Sequence, residues 1–458
     1  MGISSLGAGG GVLTQDLLDQ LKEADQAQYI NPLDTRKATE TKKQDAFNVI
    51  NAYMDNVDAS LKTLTQYGVF ESRTASSSNE DVATVSAADS SDVQDFSLEV
   101  LWLAKKEIVQ SGTFATKTST VATGSGKFDL QVGGETFRID YNAATTLEDL
   151  KNSINKEAGD SVSATIVQIA DNDFRLFLSA KESGLNQDIT ITDVAGEGEA
   201  LNAALTTGVT NVQEGIDASF KYNSQTITRS SNDVKDLLSG VTITLKEVGV
   251  ANISVGQNKD NIASKIENFI SKYNSALYQL TTDTKSSENA EERGIFSNES
   301  IMKTMKADLL NMINNAGESV GRAQDYGIKI AEDGSLSLDK TKLNEMLDEN
   351  ADNVKAFFTG GTFVKSDGSE AEIEGAFTQM LEKVQEYTKY NANLDQYKTL
   401  LEDKIESLTE QRTKALERLT TKYEIMAKQF AAYDAVITQL NSVSSMFTDL
   451  VNAQSADN

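Results

Sequence analysis

Close to its end, the chain carries an apolar side chain at every third or fourth position across 33 residues. Steps of 4 and 3 alternate, which is the heptad spacing of a helix that packs lengthwise against a partner helix. At about 1.5 Å per residue, such a helix is a rod of roughly 50 Å. The seam includes one polar position, Ser444, and otherwise consists of Leu419, Tyr423, Met426, Phe430, Tyr433, Ile437, Leu440, Phe447 and Val451. We expect the rest of the chain or other subunits to cover it.

A second seam lies in the first part of the chain. It steps by 3, 4, 3, 4, 3 and consists of Phe47, Ile50, Met54, Val57, Leu61 and Leu64. Asn31-Pro32 precedes it and is interpreted as an N-cap followed by proline at the first helical position. Earlier still, Leu13, Leu17 and Leu21 recur about one turn apart and predict a first helix. That first helix is short and partly polar, so it would leave apolar surface on the terminal helix uncovered.

Between the helical ends, residues 72–256 have the pattern of short strands joined by turns rich in glycine, asparagine and aspartate. Phe128–Val132 and Thr136–Tyr141 flank Gly133-Gly134, which predicts a hairpin. Ser163–Ile169 and Phe174–Leu178 predict a second pair of strands. Further strands are predicted at Phe96–Val100 and Val241–Leu245, and a short helix at Leu147–Asn155.

Helical periodicity returns at about Asp260 and continues to the terminal seam, apart from a predicted hairpin near residues 328–338. The simplest folding of the order helix, β, helix is nested. We therefore predict an α+β multidomain protein. Both chain ends would form a helical coiled-coil stalk, and the middle would form a β-rich, two-domain head.

Composition narrows the chemistry that this chain can perform. Histidine and cysteine are absent, which excludes thiol nucleophiles, thiolate metal sites and a Ser-His-Asp arrangement. Gly7–Gly11 follows no strand and precedes no Lys-Ser/Thr pair, so it is not a phosphate-binding loop. A calcium loop centred on Gly334 would place Lys329 and Lys340 where carboxylates are needed, so Asp333-Gly334 is a turn. Carboxylate pairs suited to glycoside hydrolysis stay open among 69 acidic residues. We predict no enzymatic activity, no cofactor and no metal site.

The net charge of the chain and its apolar runs limit the partners that it can bind. A formal charge of −27 disfavours binding to nucleic-acid backbones and to anionic membranes. The N-terminal residues lack the basic and apolar regions of a secretory signal peptide. Apolar runs also fall short of the roughly 18–20 residues that a membrane span requires. The sequence therefore predicts no nucleic-acid partner and no membrane insertion.

Several collinear segments resemble one known family. Residues 4–25, SSLGAGGGVLTQDLLDQLKEAD, resemble its glycine-rich opening and first helix. Residues 127–155 are similar to a β-β-α motif shared by flagellin and hook-associated proteins. The most specific segment is GIDASFKYNSQTITRSSNDVKDLLSGVTITL at 215–245. Further similar segments are 95–107, 259–277, 325–360 and 428–447. The family is that of the bacterial flagellar filament cap, also called flagellar hook-associated protein 2.

The resemblance implies names for the parts of the nested layout. The terminal segments 1–45 and 415–458 would be assembly contacts, and 46–72 with 258–414 would form a helical leg domain. An inner head domain would comprise 73–111 and 215–257, and an outer one 112–214. Candidate contact residues, which combine the seams with this resemblance, are Leu13, Leu17, Leu21, Met426, Phe430, Tyr433, Ile437, Leu440 and Phe447.

The resemblance also implies partners and a location. Family members form a ring homo-oligomer, expected to be a pentamer, at the distal tip of the filament. They leave the cell through the flagellar type III export channel and promote folding and insertion of exported flagellin. Expected partners are copies of the chain, flagellin, hook-associated junction proteins, and a cytoplasmic export chaperone that binds the C-terminal helix.

Two other functions remain open at this point. The chain could be an adhesin that its helical ends display on the filament, since the head is the variable part of the family. It could also be a flagellin or another hook-associated junction subunit. A flagellin would polymerise alone at high concentration, whereas a cap should stop at a closed ring.

Overall fold

The computed structural model describes residues 14–66, 68–314 and 320–456. They fall into two compact units. Unit 2 is Tyr67–Ile262, and unit 1 is built from the described residues on both sides of it in the sequence. The helices are α1 (Gln15–Tyr29), α2 (Asn31–Thr65), α3 (Leu147–Glu157), α4 (Lys259–Asp283), α5 (Ser300–Asn314), α6 (Lys340–Thr359), α7 (Ala376–Thr388) and α8 (Asn393–Ala456).

The strands lie mostly in unit 2. They are β1 (Arg73–Ser77), β2 (Ala83–Ala87), β3 (Gln94–Trp102), β4 (Lys106–Gln110), β5 (Gly126–Val132), β6 (Glu135–Tyr141), β7 (Val162–Ala170), β8 (Asp173–Ser183), β9 (Thr190–Asp193), β10 (Thr210–Gln213), β11 (Ala218–Tyr222), β12 (Gln225–Arg229), β13 (Asp233–Leu238), β14 (Val241–Leu245), β15 (Gly249–Gln257), β16 (Ile328–Ile330), β17 (Leu336–Leu338), β18 (Gly361–Val364) and β19 (Glu370–Ile373).

In unit 1, the seam of α2 is buried at every predicted position, from Phe47 to Leu64. It packs against α7 and α8, as its heptad spacing predicts. The N-cap of α2 is Ile30, which makes no side-chain cap, and Pro32 lies in the first turn. The predicted cap at Asn31 is therefore displaced by one residue, although proline begins the helix as expected.

A second core in unit 1 is aromatic. Phe269 of α4, Phe358 of α6 and Phe377 of α7 are each at most 1% exposed. The ring centroids of Phe269 and Phe377 are 4.9 Å apart, and those of Phe358 and Phe377 are 4.7 Å apart. Tyr326 stacks on Phe357 next to this group. These tilted and stacked rings fix the mutual positions of α4, α6 and α7.

The end of the chain is one helix of 64 residues, α8, which includes the predicted rod and extends further toward the N-terminus. It is separated from α7 by a turn in which Asn391 has φ of 60°. Asparagine tolerates this left-handed conformation, so the turn separates the two helices without glycine or proline.

Strands from the two ends of the unit 2 sequence, 73–102 and 218–257, form a five-stranded sheet, ordered β1-β15-β3-β11-β12, and a three-stranded sheet, β13-β14-β2. Alternate residues of β3, β14 and β15 point inward. Their shared core includes Phe96, Leu98, Phe220, Ile243 and Ile253. Polar residues alternate with apolar ones along β3, so one face is buried and the other faces solvent.

The middle of the unit 2 sequence, 106–213, has its own core, built from a four-stranded sheet, β10-β4-β8-β7, a three-stranded sheet, β6-β5-β9, and α3. The predicted hairpin of β5 and β6 is confirmed, with Gly133 and Gly134 at φ of 61° and 83°. The helix α3 begins with a capping box, in which Thr146 and Asp149 each accept the backbone N–H of the other.

The predicted fold class is confirmed: helical segments from both ends of the chain surround a β-rich middle in the sequence. The predicted division of each unit at residues 45, 72, 111, 214, 257 and 414 stays a prediction.

Candidate assembly surface

The helices α1 and α8 share a small apolar cluster. Leu18 and Ile30, both at least 96% buried, pack with Leu419 and Tyr423 of α8. Met426 and Phe430 are partly buried against the same group. This part of the terminal seam is therefore covered within the chain itself.

An ion pair closes the same contact. The carboxylate of Asp25 on α1 accepts hydrogen bonds from Lys422 Nζ at 2.6 Å and from the Tyr423 hydroxyl at 2.8 Å. These two bonds lower the pKa of Asp25 below its ordinary value, and the bond from Lys422 has the larger effect. Ten residues earlier on α8, Arg412 pairs with Asp34 of α2. The bonds to Asp25 thus complement the apolar cluster and fix the register of α1 on α8.

Because the pKa of Asp25 is lowered in the folded chain, the contribution of Asp25 to stability is present above pH 3.8 and is lost as pH falls through the lowered pKa.

We expect Asp25→Asn to increase hydrogen exchange along α1 at pH 7, because the neutral amide loses the ion pair with the Lys422 ammonium. The matched control is Asp19→Asn, since Asp19 bonds to Gln15 of its own helix. Equal exchange in both variants would contradict the role of the Asp25 contacts.

Beyond Phe430, α8 presents an apolar surface to solvent. Tyr433, Leu440 and Phe447 are 61%, 62% and 66% exposed, and Ile437 is half-buried. Four neighbouring residues outside the predicted seam are also exposed, namely Val436, Val443, Met446 and Leu450, and so is the last seam residue, Val451. We call Tyr433, Leu440, Phe447 and these five residues the terminal stripe. Contiguous exposed apolar surface of this kind is typical of a partner-binding site.

The structure places the N-terminal candidates less uniformly. Leu13 lies outside the described residues. Leu17 is half-buried and Leu21 is 39% exposed, whereas the buried residue of α1 is Leu18. Leu18 lies one heptad before Asp25 and thus on the same side of the helix, the side that contacts α8. The remaining six candidates all lie on α8, and of these Met426 and Phe430 pack against the cluster of Leu18, Ile30, Leu419 and Tyr423.

A polar depression of about 440 Å³ lies beside the start of α3 and is lined by Asp140, Tyr141, Asn142, Thr145 and Asp149. The carboxylate of Asp149 is already used in the capping box. Within 14–66, 68–314 and 320–456, acidic residues nowhere form a group of three or more that could hold a metal ion.

Among the helices of these same residues, none is both long enough and apolar enough to cross a membrane.

Comparison with known proteins adds to this geometry. The model of the flagellar hook-associated protein 2 N-terminus matches residues 10–107, and that of its C-terminus matches residues 215–442. The two matches include α1, α2 and α8 up to the first part of the terminal stripe. The chain belongs to the flagellar hook-associated protein 2 family.

Individual relatives align over different lengths. The flagellar hook-associated protein 2 of Helicobacter pylori J99 is 32% identical over 239 residues, which are 50% of this chain and 35% of that protein. The chain thus spans about a third of this relative. The protein of the same name from Aeromonas caviae is 24% identical over 475 residues, 98% of each chain.

A solved structure shares the fold. The crystal structure of the D1-D2-D3 domains of the Escherichia coli flagellar cap protein has a TM-score of 0.61 at 21% identity. The match covers 78% of this chain and 99% of that one.

Proposed function

We propose that this protein is the structural cap at the distal tip of the bacterial flagellar filament, where it promotes folding and insertion of exported flagellin. The observation that carries the proposal is the terminal stripe of α8, in a chain that belongs to the flagellar hook-associated protein 2 family. Eight apolar side chains on the last 24 residues of one helix are costly to leave in water. Burial against partner helices removes that cost.

The proposal assigns roles to surfaces rather than to reactive groups. The stripe packs against other helical assembly proteins, namely neighbouring copies of the chain, flagellin and hook-associated junction proteins. Before export, a cytoplasmic chaperone covers the same helix. Copies of the chain close into a ring, expected to be a pentamer, at the extracellular end of the filament. Ring closure explains why a cap stops growing while a filament subunit continues.

The sharpest test introduces charge into the stripe. The pair Phe430→Asp with Leu440→Asp is ambiguous, because Phe430 also packs against the α1 cluster. Leu440→Asp with Phe447→Asp avoids this problem, since both side chains are more than 60% exposed. We expect the double variant to fold normally, to lose filament growth and to release monomeric flagellin into the medium, because burying two carboxylates opposes docking.

The matched control is Ser442→Asp with Ser445→Asp, which adds the same charge to exposed polar positions of the same helix. It should retain most filament growth. Filaments of normal length and number from the Leu440→Asp, Phe447→Asp variant would overturn the proposal. Circular dichroism of both purified variants shows whether the helical content is unchanged.

A further inference from the structure

One strand edge in unit 2 is open. In the sheet β10-β4-β8-β7, the strand β7 lies at the edge. Its neighbour β8 directs the backbone groups of Phe174 and Leu176 away from β7: Phe174 exchanges hydrogen bonds with Phe114, and Leu176 bonds to Ser111. In an antiparallel ladder, the residues opposite them then point their own N–H and C=O groups outward. Those residues are Gln168 and Ile166.

Pairing at this edge is prevented at both ends of β7, by a side chain at one end and by a β-bulge at the other. The side chain of Asn155 on α3 bonds both to the carbonyl and to the N–H of Ala164, at 2.8 Å each. A β-bulge interrupts the register between Gln168 and Ala170. Between these points, the outward groups of Ile166 and Gln168 have no partner among the described residues. We call residues 165–169 the open edge.

The side chains of the open edge suit contact with another strand. Val167 and Ile169, 37% and 51% exposed, lie on the solvent face, and Phe177 is half-exposed on the neighbouring strand. Residues 165–169, Thr-Ile-Val-Gln-Ile, include no lysine or proline. Proteins commonly protect sheet edges with such residues. This segment instead combines β-branched side chains with four backbone groups ready to pair.

We propose that the open edge binds a short extended segment of another polypeptide by β-augmentation, and that this segment is apolar at alternate positions and basic at its ends. Main-chain hydrogen bonds to Ile166 and Gln168 would supply affinity, and Val167 and Ile169 would select the side chains. The basic ends follow from charge: Asp160 and Asp171 flank β7, and the chain carries −27. Two nearby cations, Arg175 and Lys156, are already paired, with Asp173 and Glu157. This inference goes beyond the proposed function, which does not depend on it.

The test uses the full chain and the peptide Lys-Thr-Val-Thr-Val-Thr-Lys, with blocked ends. Calorimetry measures its affinity, and amide exchange followed by NMR locates it. We expect protection of the Ile166 and Gln168 amides. N-methylation of the peptide bonds that face the edge should weaken binding by about fivefold or more, because each lost hydrogen bond costs about that factor. Replacing both lysines by glutamate should weaken binding most at low salt.

A pair of variants tests the backbone contact from the protein side. Gln168→Pro removes an outward N–H without removing a bond to β8, and Gln168→Ala keeps that N–H. Gln168→Ala should bind the peptide as the unmodified chain does, and Gln168→Pro should bind about fivefold or more weakly. If Gln168→Pro disturbs the sheet, the N-methylated peptide still decides the question on the unmodified chain.

Three results would overturn the inference. They are an N-methylated peptide that binds as tightly as its parent, protection confined to residues outside 165–169, and no binding by the unmodified chain at millimolar peptide. A concentration-dependent dimer that Gln168→Pro abolishes would show that a second copy occupies the edge, which also overturns the proposed occupant.

Discussion

Replacing Phe377 by alanine is expected to lower the free energy of unfolding of unit 1 by about 3–5 kcal/mol. The side chain is 1% exposed and lies between the rings of Phe269 and Phe358. Alanine would remove the buried ring and leave a cavity among three helices, because packed helices collapse only partly around a missing side chain. It would also remove both aromatic contacts, each worth about 0.5–1.5 kcal/mol beyond burial.

The measurement is urea unfolding followed by circular dichroism at 222 nm, a signal that comes mainly from the helical unit 1. Phe377→Leu is the matched variant, since it keeps most of the apolar volume and should cost less than about 1.5 kcal/mol. Tyr278→Ala on α4 controls for the loss of an aromatic ring at an exposed position, because Tyr278 is 73% exposed. A loss below 1 kcal/mol for Phe377→Ala would contradict the packing described for this core.

Periodicity predicted the helices better than it predicted their surroundings. The heptad positions from Phe47 to Leu64 are all buried, because a seam of six apolar residues on one helix has few alternatives to burial. The terminal seam has the same spacing, yet it is covered near Tyr423 and exposed at Leu440. Spacing indicates which residues share a face but not how far the partner helix extends along that face.

Two local features could not be read from single residues. The hairpin of β18 and β19 is held at the end of α6 by the Asn353 side chain, which bonds both backbone groups of Val364. Asn350 has non-helical φ and ψ within α6. Asparagine side chains bond to backbone groups in several local patterns, and the partner of Asn353 lies eleven residues away, so neither residue alone predicts this contact. The open edge of β7 also depends on residues elsewhere in the sequence, because the bonds of Phe174 and Leu176 on β8 determine which backbone groups of β7 point outward.

Glu107 on β4 is the most informative residue that the sequence did not single out. Its side chain is 4% exposed, although glutamate is usually found at the surface. The carboxylate accepts a hydrogen bond from the Asn211 side-chain amide at 2.6 Å and another from the Gly215 N–H at 2.7 Å. Both donors are more than a hundred residues away in sequence. Local pattern therefore carries no sign of this contact.

Replacing Glu107 by alanine is expected to destabilise unit 2 strongly, because two donors would lose their acceptor in a buried place. Each unsatisfied donor costs about 1–3 kcal/mol. Glu107→Gln keeps one acceptor oxygen but turns its amide toward the other donor. It should therefore lower the free energy of unfolding of unit 2 less than Glu107→Ala does. Trp102 is the only tryptophan of the chain and lies in β3, so its fluorescence reports the unfolding of unit 2.

The pH dependence distinguishes these variants further. Burial raises the pKa of Glu107 above its ordinary value of 4.5; the hydrogen bond from the Gly215 N–H opposes this rise, and the nearby charges of Asp188 and Glu214 add to it. The folded chain then holds a proton on Glu107 over a pH range in which the unfolded chain has released it. The contribution of this group to stability must therefore fall as pH rises from about 4.5 through the raised pKa. In Glu107→Gln, this decrease should be absent, while the pH dependence from other groups remains.

The comparison therefore needs urea unfolding of the unmodified chain and both variants at several values between pH 4 and pH 8. We expect the difference in stability between the unmodified chain and Glu107→Gln to shrink as pH rises, because only the carboxylate becomes charged. A difference that is constant or grows with pH would show that the Asn211 and Gly215 bonds outweigh the burial of the charge. An unchanged stability of Glu107→Ala would contradict the contact itself, since two buried donors cannot lose their acceptor at no cost.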